Sequence, residues 1–202
     1  MNKKKVKKVL KGIWYFIWED NSILSWLVNV VLAFILIKFI VYPGLGLLLS
    51  TSHPIVAVVS ESMEHNINFN QWWDKNGQWY LKNGIEEEDF SQFSLKNGFN
   101  KGDIMVLIGK KPQDVNVGDV IVFRNSRPDP IIHRVVKKWK DNSDYFFQTK
   151  GDNNRESIKN GSIDETNINQ NQIIGKALFK IPILGYVKIW FVEILKLLNI
   201  IK

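Results

Sequence analysis

The longest apolar run, Ile23 to Tyr42 (ILSWLVNVVLAFILIKFIVY), carries one charge, Lys38, and one amide, Asn29, in twenty residues. As a helix it is long enough to cross about 30 Å of hydrocarbon. Pro43 and the glycines of YPGLGLLLSTSHP predict its end. Beyond it the apolar runs shorten. IVAVV, DIMVLIG, DVIVF, IIHRVVKKW, YFFQTK and IIGKALFKI have strand length and are bounded by turn signals, and Gly-Asp opens two of them (Gly102-Asp103 and Gly118-Asp119). This spacing predicts a mainly β domain, barrel-like or sheet. The first two runs are separated by a polar and aromatic insertion, residues 66–100, with Trp72, Trp73, Trp79, Tyr80 and the acidic run Glu86 to Asp89. A small self-packed subdomain is the expected reading; a lid core, an interfacial anchor and a partner contact are the others. The tail, IPILGYVKIWFVEILKLLNIIK, is apolar apart from Lys188, Glu193 and the last lysines. It predicts an amphipathic helix lying in the membrane interface. A second span is the alternative, but it would bury charges at about 2.5–3.5 kcal/mol each. The expected divisions are a basic cytoplasmic or interfacial segment 1–22, a transmembrane helix 23–42, an extracytoplasmic β domain 43–182 that carries any catalytic site and contains the insertion 66–100, and a membrane-associated helix 183–202.

Charge narrows the partners. The net charge is +7, but Lys3, Lys4, Lys5, Lys7, Lys8 and Lys11 supply most of the excess; without them 21 basic residues face 20 acidic ones. A nucleic-acid footprint needs basic residues spread over a folded face, so nucleic acid is not an expected partner. The same lysines precede the apolar run, which by the positive-inside rule puts the N-terminus in the cytoplasm and everything after Tyr42 outside it. The expected location is a single-pass protein of the cell (plasma) membrane, with the WYFIWED indoles at headgroup depth. The absence of cysteine removes disulfides, thiol catalysis and cysteine zinc sites. Three scattered histidines make no ligand spacing, so neither metal nor cofactor is expected.

Serine chemistry is the class left open. Ser60 and Ser62 follow the first strand run in VAVVSESMEH, where serine is also an ordinary strand terminator. A serine hydroxyl needs a base to become a nucleophile. His133, inside IIHRVV, would be held stiffly between β-branched neighbours, as a general base must be. His53 precedes a proline in a turn, and His65 reads as a solvent-facing turn residue. Asp152, after the glycine of TKGDNN, can point back across a sheet; Asp164 and Glu165 are further acids. Ile55, Val56 and Val58 are the expected lining of shallow substrate pockets, with Met63 at the floor.

Taken in order, TSHPIVAVVSESME, NKGDIMVL, VGDVIVF, IIHRVV, QTKGDNN and IIGKALFKIPILGYV resemble the boxes of the type I signal peptidases, in the histidine branch found in archaea and the eukaryotic endoplasmic reticulum. The resemblance covers most of the chain. It implies a signal-peptidase-like β domain, Ser62 as nucleophile, Ser60 with Ser62 at the oxyanion, His133 as base and Asp152 as the acid that orients it. The substrates implied are preprotein signal peptides with small residues at the first and third positions before the cut, and the surroundings implied are the lipid bilayer, the Sec translocon or accessory subunits. The chain departs from the pattern twice. His65 stands where proline usually follows Ser-Met-Glu, and no second aspartate follows Gly-Asp-Asn-Asn closely, which makes Asp164 the candidate equivalent across a longer loop. A membrane-anchored β domain that binds polypeptide without catalysis, and a protease dedicated to one substrate, are the rival readings.

Overall fold

The structure is a computed structural model that describes residues 3–197. It forms two compact units, Met1–Leu48 and Leu49–Lys202.

The first unit is helical. Helix α1 (Lys3–Trp18) is followed by α2 (Ile23–Leu36), a wide π-helical turn (Ile37–Val41) and α3 (Tyr42–Leu48). Ser22 caps α2 by accepting the Ser25 N–H. The polar residues inside the apolar run have partners at the C-terminal end of α1. Ser25 donates to the Phe16 carbonyl at 2.5 Å and Asn29 to the Ile17 carbonyl at 2.9 Å, satisfying carbonyls that a helix end leaves open. Residues Ile23–Leu48 form one apolar helical stretch of 26 residues, the one candidate membrane span among the described residues. The helix therefore continues past Tyr42, where the sequence predicts its end. The wide turn lies just before Pro43 and realigns the hydrogen bonding where the missing proline N–H would otherwise break the ladder.

The second unit is built on a sheet. Strand β1 (Ile55–Ala57) leads to α4 (Phe69–Lys82) and α5 (Glu87–Gln92). Strands β2 (Ile104–Ile108), β3 (Val120–Phe123), β4 (Ile131–Asp141) and β5 (Asp144–Lys150) follow. Then come the short strands β6 (Lys159–Asn160), β7 (Ile163–Asp164) and β8 (Ile168–Asn169), the long β9 (Ile173–Ile181) and α6 (Tyr186–Leu197). Seven strands pair antiparallel in the order β1-β2-β9-β3-β4-β5-β8, and β6 pairs with β7. The mainly β class expected from sequence holds.

Strand β3 sits in the middle and is buried on both faces, which explains its unalternating VIVF. Val120 and Val122 join Val58, Met63, Phe99, Met105 and Leu107 on one side. Ile121 and Phe123 join Val115, Val135, Phe147 and Ile168 on the other. The two Gly-Asp strand starts share one turn. In each, the Asp carboxylate (Asp103, Asp119) accepts the N–H of the asparagine three residues back at 3.0 Å, and the glycine has positive φ (89° at Gly102, 92° at Gly118), where a side chain would be strained.

The insertion is a pair of helices. Trp72, Trp73, Tyr80, Ile85 and Phe90 pack together and against Val136 of β4, so its core is shared with the sheet. The acidic run forms the first turn of α5, where Glu87, Glu88 and Asp89 complement the positive end of the helix. At the other end of the unit, α6 starts against the β2 turn: the Gly185 N–H donates to the Gly102 carbonyl at 2.8 Å. Val187, Trp190, Phe191, Ile194 and Leu197 of α6 are exposed. Residues 198–202 of the expected C-terminal segment, and the Lys188 side chain, lie outside the described residues.

Candidate active site

Ser62 and His133 meet. The loop that leaves β1 carries Ser62 to the edge of β4, where its hydroxyl lies 2.8 Å from His133 Nε2. Ser60 Oγ is 3.1 Å from Ser62 Oγ and solvent-exposed. His133 is buried in β4, paired in register with Ile121 of β3, which holds its ring in the stiff setting expected of a base. Gly151 makes the approach possible: a Cβ there would lie 2.8 Å from His133 Nε2.

The acid on His133 is Glu165. His133 Nδ1 hydrogen-bonds Glu165 Oε1. The same carboxyl accepts the Thr149 hydroxyl at 2.8 Å and the Ile158 N–H at 2.7 Å, and it is fully buried. Neither Asp152 nor Asp164, the acids favoured from sequence, contacts the imidazole. The reason at Asp164 is strand alternation: Ile163 points into the core, so Asp164 points out and Glu165 points in. Asp164 is left to Thr166 and the exposed Lys159, and the Thr166 hydrogen bonds hold its carboxyl below the ordinary value.

Asp152 does different work. It is fully buried and gripped by Arg134, whose Nε donates to Oδ1 at 2.9 Å and whose Nη2 donates to Oδ2 at 2.6 Å. The Tyr80 hydroxyl donates to Oδ1 at 2.9 Å, and His65 Nε2 lies 3.0 Å from Oδ2. Burial alone would raise the Asp152 pKa, but the Arg134 charge and the His65 and Arg134 hydrogen bonds hold it well below the usual carboxylate range. The remaining Arg134 donors reach the Ser94, Leu95 and Gly118 carbonyls at 2.9 Å. Every guanidinium N–H then has an acceptor, which is what a buried arginine requires. Lys150, adjacent to this group, is buried with its ammonium on the Gly151 carbonyl at 3.0 Å and over the Trp79 and Tyr80 rings. Burial lowers its pKa to about 8 although Asp152 and Glu165 oppose the shift.

His65 is therefore not a solvent-facing turn residue. It is buried, and its ring stacks on Trp72 with centroids 3.8 Å apart and planes within 3°. His53 stays in its turn, hydrogen-bonded to Ser52.

Beside Ser62 runs a groove of about 410 Å³ lined by Ala57, Val59, Ile131, Ile132, Ile158 and Ile163, with Arg127 and Asp129 at its margin. Among the expected strand residues Val56 and Val58 have the other parity, while Ile55 shares that of Ala57 and Val59. Val56 and Val58 turn into the core, as does Met63, whose sulfur accepts the Asp152 N–H, and Ile55 does not reach the groove. A strand exposes alternate residues to each face, so a shift of one exchanges the whole set.

No family model matches the chain. It is 29% identical over 157 residues to the signal peptidase complex catalytic subunit sec11 of Schizosaccharomyces pombe, an alignment covering 75% of this chain and 74% of that protein. It is 34% identical over 103 residues to the SEC11 subunit of Colletotrichum graminicola, covering 50% and 60%. In sequence the chain is thus similar to Sec11 catalytic subunits of signal peptidase complexes. Human signal peptidase complex catalytic subunit SEC11C is 33% identical over 99 residues, 48% of this chain, and the match spans about half of that relative's length. Histidine rather than lysine faces the serine here, as that branch resemblance implies.

Proposed function

We propose that the chain is a membrane-bound serine endopeptidase that removes signal peptides from exported preproteins. The observation that carries the reading is the continuous hydrogen-bond chain Ser62 Oγ, His133 Nε2, His133 Nδ1, Glu165 Oε1. In it a serine, an imidazole and a buried acid stand in the order that acyl transfer needs.

Ser62 attacks the scissile carbonyl as His133 takes its proton; His133 returns that proton to the leaving amine, and water releases the acyl-enzyme by the same route. Glu165 holds the tautomer with hydrogen on Nδ1 and offsets the imidazolium charge. The Ser60 hydroxyl and the Ser62 N–H receive the oxyanion, and losing one such donor costs roughly a hundredfold to a thousandfold. Strand β1 lies at the edge of the sheet, where a preprotein segment adds as a further strand. Ala57 and Val59 then line the cleft, and its shallow apolar walls suit small residues before the cut.

The apolar helix tethers the sheet to a bilayer, which raises the effective concentration of membrane-delivered substrate. The plasma membrane expected from sequence is not supported by the relatives, which are eukaryotic signal peptidase complex subunits and point to the endoplasmic reticulum. The lysine rule applies to both membranes, so the reading keeps to a single-pass protein in the membrane that exported preproteins cross, its N-terminus cytoplasmic. The complexes named for those relatives favour accessory subunits as partners here too.

Purified full-length chain in detergent, incubated with several unrelated preproteins, tests the reading. Cleavage at the signal-peptide junction that Ser62→Ala and His133→Ala abolish supports it. Equal processing by both variants sinks the catalytic assignment, and cleavage of one preprotein alone points to a dedicated protease.

A further inference from the structure

Ser62 and His133 come from distant parts of the chain, yet their reacting atoms must agree within a fraction of an ångström. Both are referenced to one buried carboxylate. On the base side, Arg134 is the residue after His133 and grips Asp152 with two donors. On the nucleophile side, His65 is three residues after Ser62 and meets Asp152 Oδ2 at 3.0 Å. The loop 151–154 adds backbone ties: the Asn153 N–H donates to the Ser62 carbonyl at 2.8 Å, and Asn153 Nδ2 to the Glu61 carbonyl at 3.1 Å. From the insertion side, the Phe99 N–H donates to the Met63 carbonyl at 3.0 Å. Gly98 is left without a side chain where a Cβ would strike Met63 O at 2.2 Å and His65 Cδ2 at 2.5 Å. The Trp72 ring of α4 covers the other face of the imidazole, and Tyr80 of the same helix donates to Asp152.

We propose that His65 is a positioning residue, which fixes Ser62 against His133 through Asp152, and that the α4–α5 insertion serves catalysis by holding His65. The proposal rests on the peptidase reading above. A misplacement near 1 Å is enough to cost about a hundredfold in rate, so the loss of this tie falls on turnover rather than on substrate binding.

The full-length chain in detergent, as wild type, His65→Phe and His65→Gln, supplies the test, with kcat and KM on a preprotein and amide hydrogen exchange measured on each. Phenylalanine keeps a ring on Trp72 but loses the donor; glutamine keeps a side-chain N–H for Asp152. The expected result is a kcat lower by about 10- to 100-fold in His65→Phe with KM within about threefold, and recovery by His65→Gln to within about fivefold of wild type. Exchange of the Asn153 and Phe99 amides quickens in His65→Phe while the β3 amides keep wild-type protection. Unchanged kcat in His65→Phe overturns the proposal; so does a glutamine variant no better than phenylalanine, or β3 amides that lose protection together with Asn153. If the wild type cleaves no preprotein the peptidase reading fails, and the exchange result alone decides this inference.

Discussion

Glu165 and Asp152 are both fully buried carboxylates, and their surroundings separate their work. Glu165→Gln leaves the volume and the Thr149 and Ile158 contacts nearly intact but removes the acid that sets the His133 tautomer. It should lower kcat by about 10³- to 10⁴-fold with a melting temperature within a few degrees of wild type. Asp152→Asn instead strips the charge facing Arg134, and breaking a buried pair costs about 3–5 kcal/mol, read as a large drop in urea midpoint. Asp164→Ala, at an exposed position, should change neither. The depressed Asp152 pKa has a pH signature. Its stabilisation is complete above the unfolded carboxylate value of about 3.9 and is lost as pH falls below it, so Asp152→Asn should remove part of the acid sensitivity of unfolding. Lys150 gives a slope of the same sign on the alkaline side. With its folded pKa lowered to about 8, the unfolded chain holds more protons up to the free lysine value of about 10.4, and stability rises with pH across that window. Lys150→Met should flatten the rise and stabilise the protein below pH of about 8. Ser62 and His133 were legible because a serine after a strand run and a histidine inside one carry local signals. Glu165 was only one of several acids, since its selection depends on which way a two-residue strand faces. His65 was misread because nothing near it in sequence announces a Trp72 ring to cover it.

At the scale of elements, the strand runs were legible because a sheet with two buried faces leaves β-branched blocks between turns. The parity of β1 was not, since VAVV is apolar at every position and gives no alternation to read. The helices of the insertion carry a faint sequence signal: Phe69, Trp72, Trp73 and Tyr80 recur at helical spacing. Gly77 interrupts that spacing in mid-helix, where glycine costs about 1 kcal/mol. The Trp73 ring explains the glycine, because a Cβ at 77 would sit 2.5 Å from it. The extension of the apolar helix past Pro43 was hidden for a related reason, as proline stops a helix only when no wide turn takes up the missing bond. Gly102 gives a test at this scale. It has positive φ, and a Cβ there would lie 2.1 Å from the Tyr186 ring, so Gly102→Ala should release the start of α6. Limited proteolysis reads this as faster cutting between Ile181 and Tyr186, with the sheet left resistant.

The molecule as a whole joins a lysine-rich N-terminus, the one candidate membrane span among the described residues, and a β unit in which a serine, a histidine and a buried acid meet. In sealed vesicles with the cytoplasmic face outward, added protease should remove only the N-terminal lysine segment, and detergent should expose the rest. The likeness to the Sec11 relatives was legible from the order of short boxes because each box is a strand or turn whose place the fold fixes. The length of the loop between Gly151 and Glu165 was free to vary, and there the pattern misled. We propose that Ser62, His133 and Glu165 act as one unit on a signal peptide. The most direct measurement is kcat/KM on one preprotein for the wild type, Ser62→Ala, Glu165→Gln and the double variant. The double variant should be no slower than Ser62→Ala alone, because neither residue works without the other. Losses that multiply, or a Glu165→Gln enzyme with wild-type turnover, would contradict it.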